Sequence, residues 1–264
     1  MPDVRSGDVP RKLLPIIYVL DVSGSMIGQP ISALNEAMRE TQNLLKEKQL
    51  TNPNAKIKIG AMSFSSGAQW ITGNGIGLED LEDFFWNDLL AGGITDLGAA
   101  LKMLYNKLSR SDIIRDDETI GYCRPIIIFM SDGGPTDDWE SALERAKENK
   151  WFKNATRISM AVGDEAKRGS KAWNVLSEVA GGDEAVLEIT DLEMLKSMIR
   201  AVTMSASTLN SQSKISDIGG EAECNNAKDV IKQAKEQDEN AKDVITGDTL
   251  SITDINDDDL DDIG

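Results

Sequence analysis

Two short stretches of this chain are almost wholly apolar: Leu13–Leu20 (LLPIIYVL) and Pro125–Met130 (PIIIFM). A strand with one wet face alternates apolar and polar residues, whereas a strand covered on both faces reads as an unbroken apolar run. The fold must therefore supply a layer on each side of a sheet that holds both runs. Each run stops abruptly in small and acidic residues, at Asp21-Val22-Ser23-Gly24-Ser25 and at Ser131-Asp132-Gly133. Neither approaches the roughly 20 apolar residues that cross a bilayer. The first lacks a small-residue cleavage site, so it reads as a strand and not as a signal peptide.

The covering layers are visible between the strands. Ile31, Leu34, Met38 and Leu45 recur at helical spacing behind Pro30, a residue suited to a first helical turn. Leu97, Leu101, Leu104 and Leu108 predict a second helix, Trp139, Leu143 and Ala146 a third, and Trp173, Leu176 and Val179 a fourth. Thr190 and Glu193 form a capping-box pattern ahead of Leu195, Met198, Ile199 and Val202. Further strands are expected at 57–64, Ile158–Val162 and Val186–Ile189, and Gln69–Thr72 is a short edge strand reached by a tight turn at Ser66-Gly67. Residues 73–94 show no period. Strands that alternate with helices over long connections define an α/β fold, a doubly wound and mostly parallel sheet with one antiparallel edge strand. In such a sheet ligands bind beyond the carboxyl ends of the strands.

The 264 residues suffice for one sizeable domain and an appendage. The net charge is −17, which disfavours nucleic acid and anionic membranes as partners. There is no histidine, which removes the usual general base, the usual zinc ligand and the histidine-based nucleophile triads. The two cysteines, Cys123 and Cys224, sit in unlike surroundings, so a disulfide framework is not expected and a reducing, cytoplasmic setting fits. Composition changes near residue 205. From Ser205 onward five Lys face fifteen Asp and Glu, and aromatic residues are absent. The expected division is a domain over 1–205 and an acidic, largely flexible tail over 206–264. Within the tail NAKDVI occurs twice, at Asn226–Ile231 and Asn240–Ile245. Its apolar positions fit a short amphipathic helix that docks on something, or a helix only partly formed. Asp254, Asn256 and Asp258 begin a calcium-loop pattern, but Asp259 stands where glycine is needed.

Asp21, Ser23 and Ser25 place three oxygen-bearing side chains at i, i+2 and i+4 in one turn. Thr95 offers another oxygen from a Gly-Gly-Ile-Thr-Asp loop, and Asp132 another from the end of the second apolar run. If the two runs are neighbouring strands, the three loops converge. Hydroxyls and carboxylates are hard ligands that suit Mg²⁺, Mn²⁺ or Ca²⁺. Two carboxylates balance a divalent ion without exceeding it, so the ion keeps an affinity for one more anionic oxygen. Taken alone, Asp21–Ser25 reads equally well as a strand-to-helix turn capped by Asp and Ser. Asp96 reads as a cap for the helix it precedes, and Asp137 and Asp138 as caps for the next one.

With all five residues in view, the chain resembles a von Willebrand factor A (VWA) domain over about residues 10–205. The DxSxS at Asp21, Ser23 and Ser25, with Thr95 and the SDG aspartate Asp132, resembles its metal-ion-dependent adhesion site. The likeness implies that Ser23, Ser25 and Thr95 touch the metal, and that Asp21 and Asp132 act through water or hydrogen bonds. It implies a non-enzymatic module that binds an Asp or Glu carboxylate of a protein partner. DVSGSM, GGITDLGAAL and SDGGPTDDW look closest to bacterial intracellular members, among them tellurite-resistance-associated proteins that work beside kinases or phosphatases. Two other readings stand beside this one. Thr246, Thr249, Ser251 and Thr253 lie close to aspartates and suit an acid-directed kinase and a phosphothreonine reader, which would make the protein a phosphorylation-regulated adaptor. A Mg²⁺-dependent phosphoester hydrolase would use Asp21 as nucleophile, but the position two residues on, where an acid is needed, is Ser23, and no GxxxxGK[ST] loop is present.

Overall fold

The computed structural model describes residues 11–51, 55–75, 77–109, 122–212 and 227–239. β1 (Lys12–Asp21), β2 (Ala55–Ser65), β5 (Ile126–Ser131), β6 (Thr156–Val162) and β7 (Val186–Ile189) run parallel. The strand order is β2-β1-β5-β6-β7, with β3 (Gly67–Trp70) outside β2. β3 returns antiparallel along β2 and closes one edge, starting two residues before the predicted strand. A two-residue β4 (Glu79–Asp80) adds a second antiparallel pairing to β2.

The two apolar runs are adjacent, with Ile16 opposite Ile126 and Leu20 opposite Met130. Every residue from Leu13 to Asp21 is buried. Leu14, Ile16, Tyr18 and Leu20 face one layer, and Leu13, Ile17 and Val19 face the other. Pro15, which cannot donate to a ladder, sits just ahead of the point where β5 joins at Ile16.

On the first face lie α1 (Gln29–Thr51) and α6 (Leu192–Gln212); on the second lie α2 (Leu97–Lys107), α3 (Trp139–Glu148) and the single turn α4 (Lys150–Lys153). α5 (Lys171–Ala180) gives Trp173 and Leu176 to one apolar cluster and Val175 and Val179 to the other. The result is a three-layer α/β/α domain. Tyr18 Oη meets Thr203 Oγ1 at 3.0 Å and ties β1 to α6. Burial pushes the Tyr18 hydroxyl far above its ordinary pKa, so it stays neutral.

The irregular stretch is held by side chains of α1. Asn35 Nδ2 donates to the Leu89 carbonyl, and its Oδ1 accepts from Leu89 N and Trp86 Nε1. Gln42 Oε1 accepts from Trp86 N at 2.6 Å, Lys46 Nζ donates to the Phe84 carbonyl at 2.8 Å, and Arg39 pairs with Asp88. These four residues lie on one helical stripe, so a segment without a repeat of its own borrows one from α1.

Past the compositional change at 205, α6 continues to Gln212. A seventh helix, α7, covers 227–239. Its Ala227, Val230, Ile231 and Ala234 are buried in the cluster that contains α1 and α6. Residues 227–231 of the first NAKDVI copy are thus part of a docked helix. The second copy and the acidic run at 254–262 lie outside the described residues. Among the described residues no helix is long and apolar enough to cross a membrane.

Candidate metal site

The connection from β1 through α1 to β2 leaves β1 on one side, while β5 lies on the other. The strand order therefore reverses between β1 and β5, where doubly wound sheets bind ligands. The loops after these two strands carry four of the five predicted residues.

Asp21 ends β1 with no side-chain exposure. Its Oδ1 accepts from Ser23 N at 2.8 Å and its Oδ2 from Ser131 Oγ at 2.5 Å. Both oxygens are engaged, one bending the 21–25 turn and one joining β1 to β5. Ser23 Oγ lies 3.1 Å from Ser25 Oγ, and Ser25 Oγ donates to Asp132 Oδ1 at 2.8 Å. Asp21, Ser23, Ser25 and Asp132 form one connected group. Thr95 is buried at 8% exposure, and its loop is clamped to theirs: Gly24 N donates to the Gly93 carbonyl at 3.0 Å and Gly92 N to the Val22 carbonyl at 2.7 Å. These hydrogen bonds tie the backbone of the Thr95 loop, not its hydroxyl, to the serine turn. Gly24 has no left-handed backbone; its use is proximity, since a Cβ there would stand 3.3 Å from the Gly93 oxygen.

An octahedral Mg²⁺ with oxygens about 2.0–2.1 Å away sets neighbouring ligand oxygens about 2.9 Å apart. The two serine oxygens, 3.1 Å apart, can share such an edge, and Asp132 is placed to accept from Ser25 at 2.8 Å. Among the described residues no three Cys, Asp or Glu side chains gather closely enough to hold a metal by themselves. A cation here would depend on the hydroxyls. Burial is the largest influence on Asp21 and Asp132, and it raises both above the ordinary carboxylate range against the lowering effect of their hydroxyl partners. The charge of Asp21 acts further upward on Asp132. Two carboxylates short of compensating charge are what a divalent ion relieves.

Several supporting residues are not evident from the chain alone. Ser131 belongs to the SDG sequence, and its part in holding Asp21 follows once β1 and β5 are known to be neighbours. Thr136 donates its backbone N–H to the Thr95 carbonyl at 2.8 Å and accepts from Thr95 N at its hydroxyl. Asp96 precedes α2 but makes no side-chain cap to it; its oxygens accept from Gly67 N and Thr136 Oγ1. Asp137 caps α2, accepting from Gly98 N and Ala99 N at 2.9 Å each, whereas the sequence places it on the following helix. Asp138 caps α3 as expected, through Ser141 N. At α6 the cap is Asp191, which accepts from Met194 N at 2.8 Å, and not the predicted Thr190.

The fold is of the von Willebrand factor A type. Solved structures share this fold at low sequence identity. A von Willebrand factor type A protein from Catenulispora acidiphila superposes with a TM-score of 0.50 at 17% identity, over 74% of this chain and 42% of that one. The pilus adhesin SpaC from Lactobacillus rhamnosus GG, in its open conformation, gives 0.53 at 14% identity, over 86% and 30%. Proximal thread matrix protein 1 from the mussel byssus, solved with a zinc-occupied MIDAS motif, gives 0.50 at 16% identity, over 72% and 47%. The chain spans less than half the length of each. No protein-family model matches it, and no curated protein matches it in sequence.

Proposed function

We propose that this protein is a metal-dependent protein-interaction module, in which a divalent cation on the β1, α2 and β5 loops binds a carboxylate of a partner protein. The observation that carries this reading is the hydrogen-bonded group of Ser23, Ser25 and Asp132 at the ends of β1 and β5, braced from behind by Asp21. Ser23, Ser25 and Thr95 would hold the ion; Asp21 and Asp132 would balance it and orient the hydroxyls. Mg²⁺ is the favoured ion, with Mn²⁺ or Ca²⁺ able to replace it, because the donors are all hard oxygens. The bound ion supplies Lewis acidity toward one incoming anionic oxygen.

The surface around the group suits a protein. Ile27, Leu90 and Ile94 are exposed at 63%, 90% and 51%, on the loops that meet at the site. Exposed apolar side chains gathered at a polar centre mark a docking face. Beside them a cleft of about 410 Å³ opens between the 88–90 loop and the β2–β3 turn, lined by Val22, Ser65, Gly67 and Leu90 among others. Asp21, with both oxygens engaged and no exposure, is badly placed to attack a phosphoester, so the binding module is preferred to a hydrolase. A cytoplasmic stress-response setting of the tellurite-resistance kind rests on the DVSGSM, GGITDLGAAL and SDGGPTDDW likeness.

Affinity capture from lysate, with Mg²⁺ and then with chelator, tests the reading. A partner is expected to be held with Mg²⁺, released by chelation, and absent when Ser25→Ala or Thr95→Ala is the bait. Capture of the same partner by all three forms in chelator would overturn it.

A further inference from the structure

In its last turns α6 is buried over more than one face: Val202, Thr203, Ser205, Ala206 and Ser207 are all 0% exposed. One side meets the sheet, where Thr203 bonds Tyr18, and α1 reaches another side, where Lys48 Nζ donates to Thr208 Oγ1. The helix over 227–239 covers a third, bringing Gln237 Oε1 to 3.4 Å from Ser205 Oγ. It seats there through only four small or medium apolar side chains, Ala227, Val230, Ile231 and Ala234. Among the described residues Ser207 Oγ is buried without a hydrogen-bond partner.

Three of the four seated residues belong to Ala-Lys-Asp-Val-Ile, and those five residues recur fourteen positions on, at Ala241–Ile245. We propose that the groove beside α6 is a receptor for this motif, and that the second copy, 241–245, exchanges with the first for the same seat. Fourteen residues are close to four helical turns, so Ala241, Val244 and Ile245 repeat the stripe of Ala227, Val230 and Ile231. The fourth contact distinguishes the copies. The counterpart of buried Ala234 is Asp248, and Gly247 replaces Gln233. A carboxylate in an apolar seat and a glycine inside a helix both count against the second copy. The first copy is therefore the resident and the second the challenger, and residue 248 sets the balance. The exchange would lengthen the link after α6 by fourteen residues and draw the acidic run at 254–262 toward the domain. It rests on the helix packing and not on the metal reading.

Hydrogen exchange on the full chain tests this. In the natural chain, slow exchange is expected at 227–239 and fast exchange at 241–248. Val230→Asp with Ile231→Asp should move the slow segment to 241–248, by roughly tenfold or more over the free-chain rate, while β1 and β5 keep their protection. Adding Val244→Asp should abolish it. As a gentler variant, Asp248→Ala alone should give partial protection to both segments. The proposal is overturned if 241–248 stays fast in both variants. It is also overturned if both segments are fully slow in the natural chain, which would mean one continuous docked helix. Protection at 241–248 that grows with protein concentration would instead mean exchange between two copies of the chain, and equally overturns it.

Discussion

Gly98 has no room for a methyl group. A Cβ there would come within 2.8 Å of both Asp137 Oδ2 and the Asp138 carbonyl oxygen, and the latter is backbone. Gly98→Ala should push Asp137 off the first turn of α2 and cost about 1–3 kcal/mol, seen as a lower urea midpoint. Gly134→Ala, with open space around it, should leave the midpoint unchanged. Cys123 offers a second test. Burial raises its thiol from 9.0 to about 11, against a small lowering by Lys12. The folded chain should therefore alkylate at Cys123 far more slowly than the denatured chain at pH 8. The unfolded thiol loses its proton first, so this group favours unfolding as pH rises from about 9 to 11. A stability curve flat across that window would contradict the shift. At this scale the sequence is a good guide to residue type and a poor one to partner. Asp21, Ser23, Ser25 and Asp132 sit at strand ends, where spacing places them. Asp137 and Asp191 displace expected caps because capping depends on where a neighbouring helix begins, which local spacing does not carry.

At the scale of elements, periodicity makes most strands and helices readable. β1 from Leu13 to Leu20 and β5 from Ile126 to Met130 are apolar because both faces are covered, and α2 and α5 show their buried stripes directly. Residues 82–91 are not readable in this way. Their order comes from Asn35, Gln42 and Lys46, which lie about forty or fifty positions earlier and bond mainly to backbone. Asn35→Leu keeps similar bulk and removes three hydrogen bonds, leaving Trp86 Nε1 and Leu89 N without that acceptor. The cost should be about 2–3 kcal/mol. The exposed Phe85 should then become a faster chymotrypsin site, since the segment around it loses its anchor. An unchanged digestion rate would show that the apolar contacts of Phe84 and Trp86 hold the segment without Asn35. The 227–239 helix was readable as amphipathic, but the surface it covers was not, because docking joins residues brought together only by the fold.

For the whole molecule the decisive quantity is charge. At −17 the chain repels itself, and any cation that accumulates around it raises its stability somewhat. A melting-temperature rise in Mg²⁺ therefore has two sources, diffuse screening and occupation of a site. Site binding adds about 2.7 kcal/mol when the ion is at a hundred times its Kd. For a domain of this size that is about 5–10 °C, and it grows with the logarithm of concentration. Screening depends on ionic strength and should be reproduced by NaCl at matched ionic strength. The two are separable in the variants. Asp21→Ala lowers the starting stability, because Ser131 Oγ loses its 2.5 Å acceptor inside the sheet. Ser25→Ala is exposed and should start near the natural value. Both keep almost the whole charge of the chain, so both should retain the NaCl response while losing the logarithmic Mg²⁺ response. If either variant still climbs with Mg²⁺ as the natural chain does, the ion acts on the acidic surface at large and not at the junction of β1 and β5.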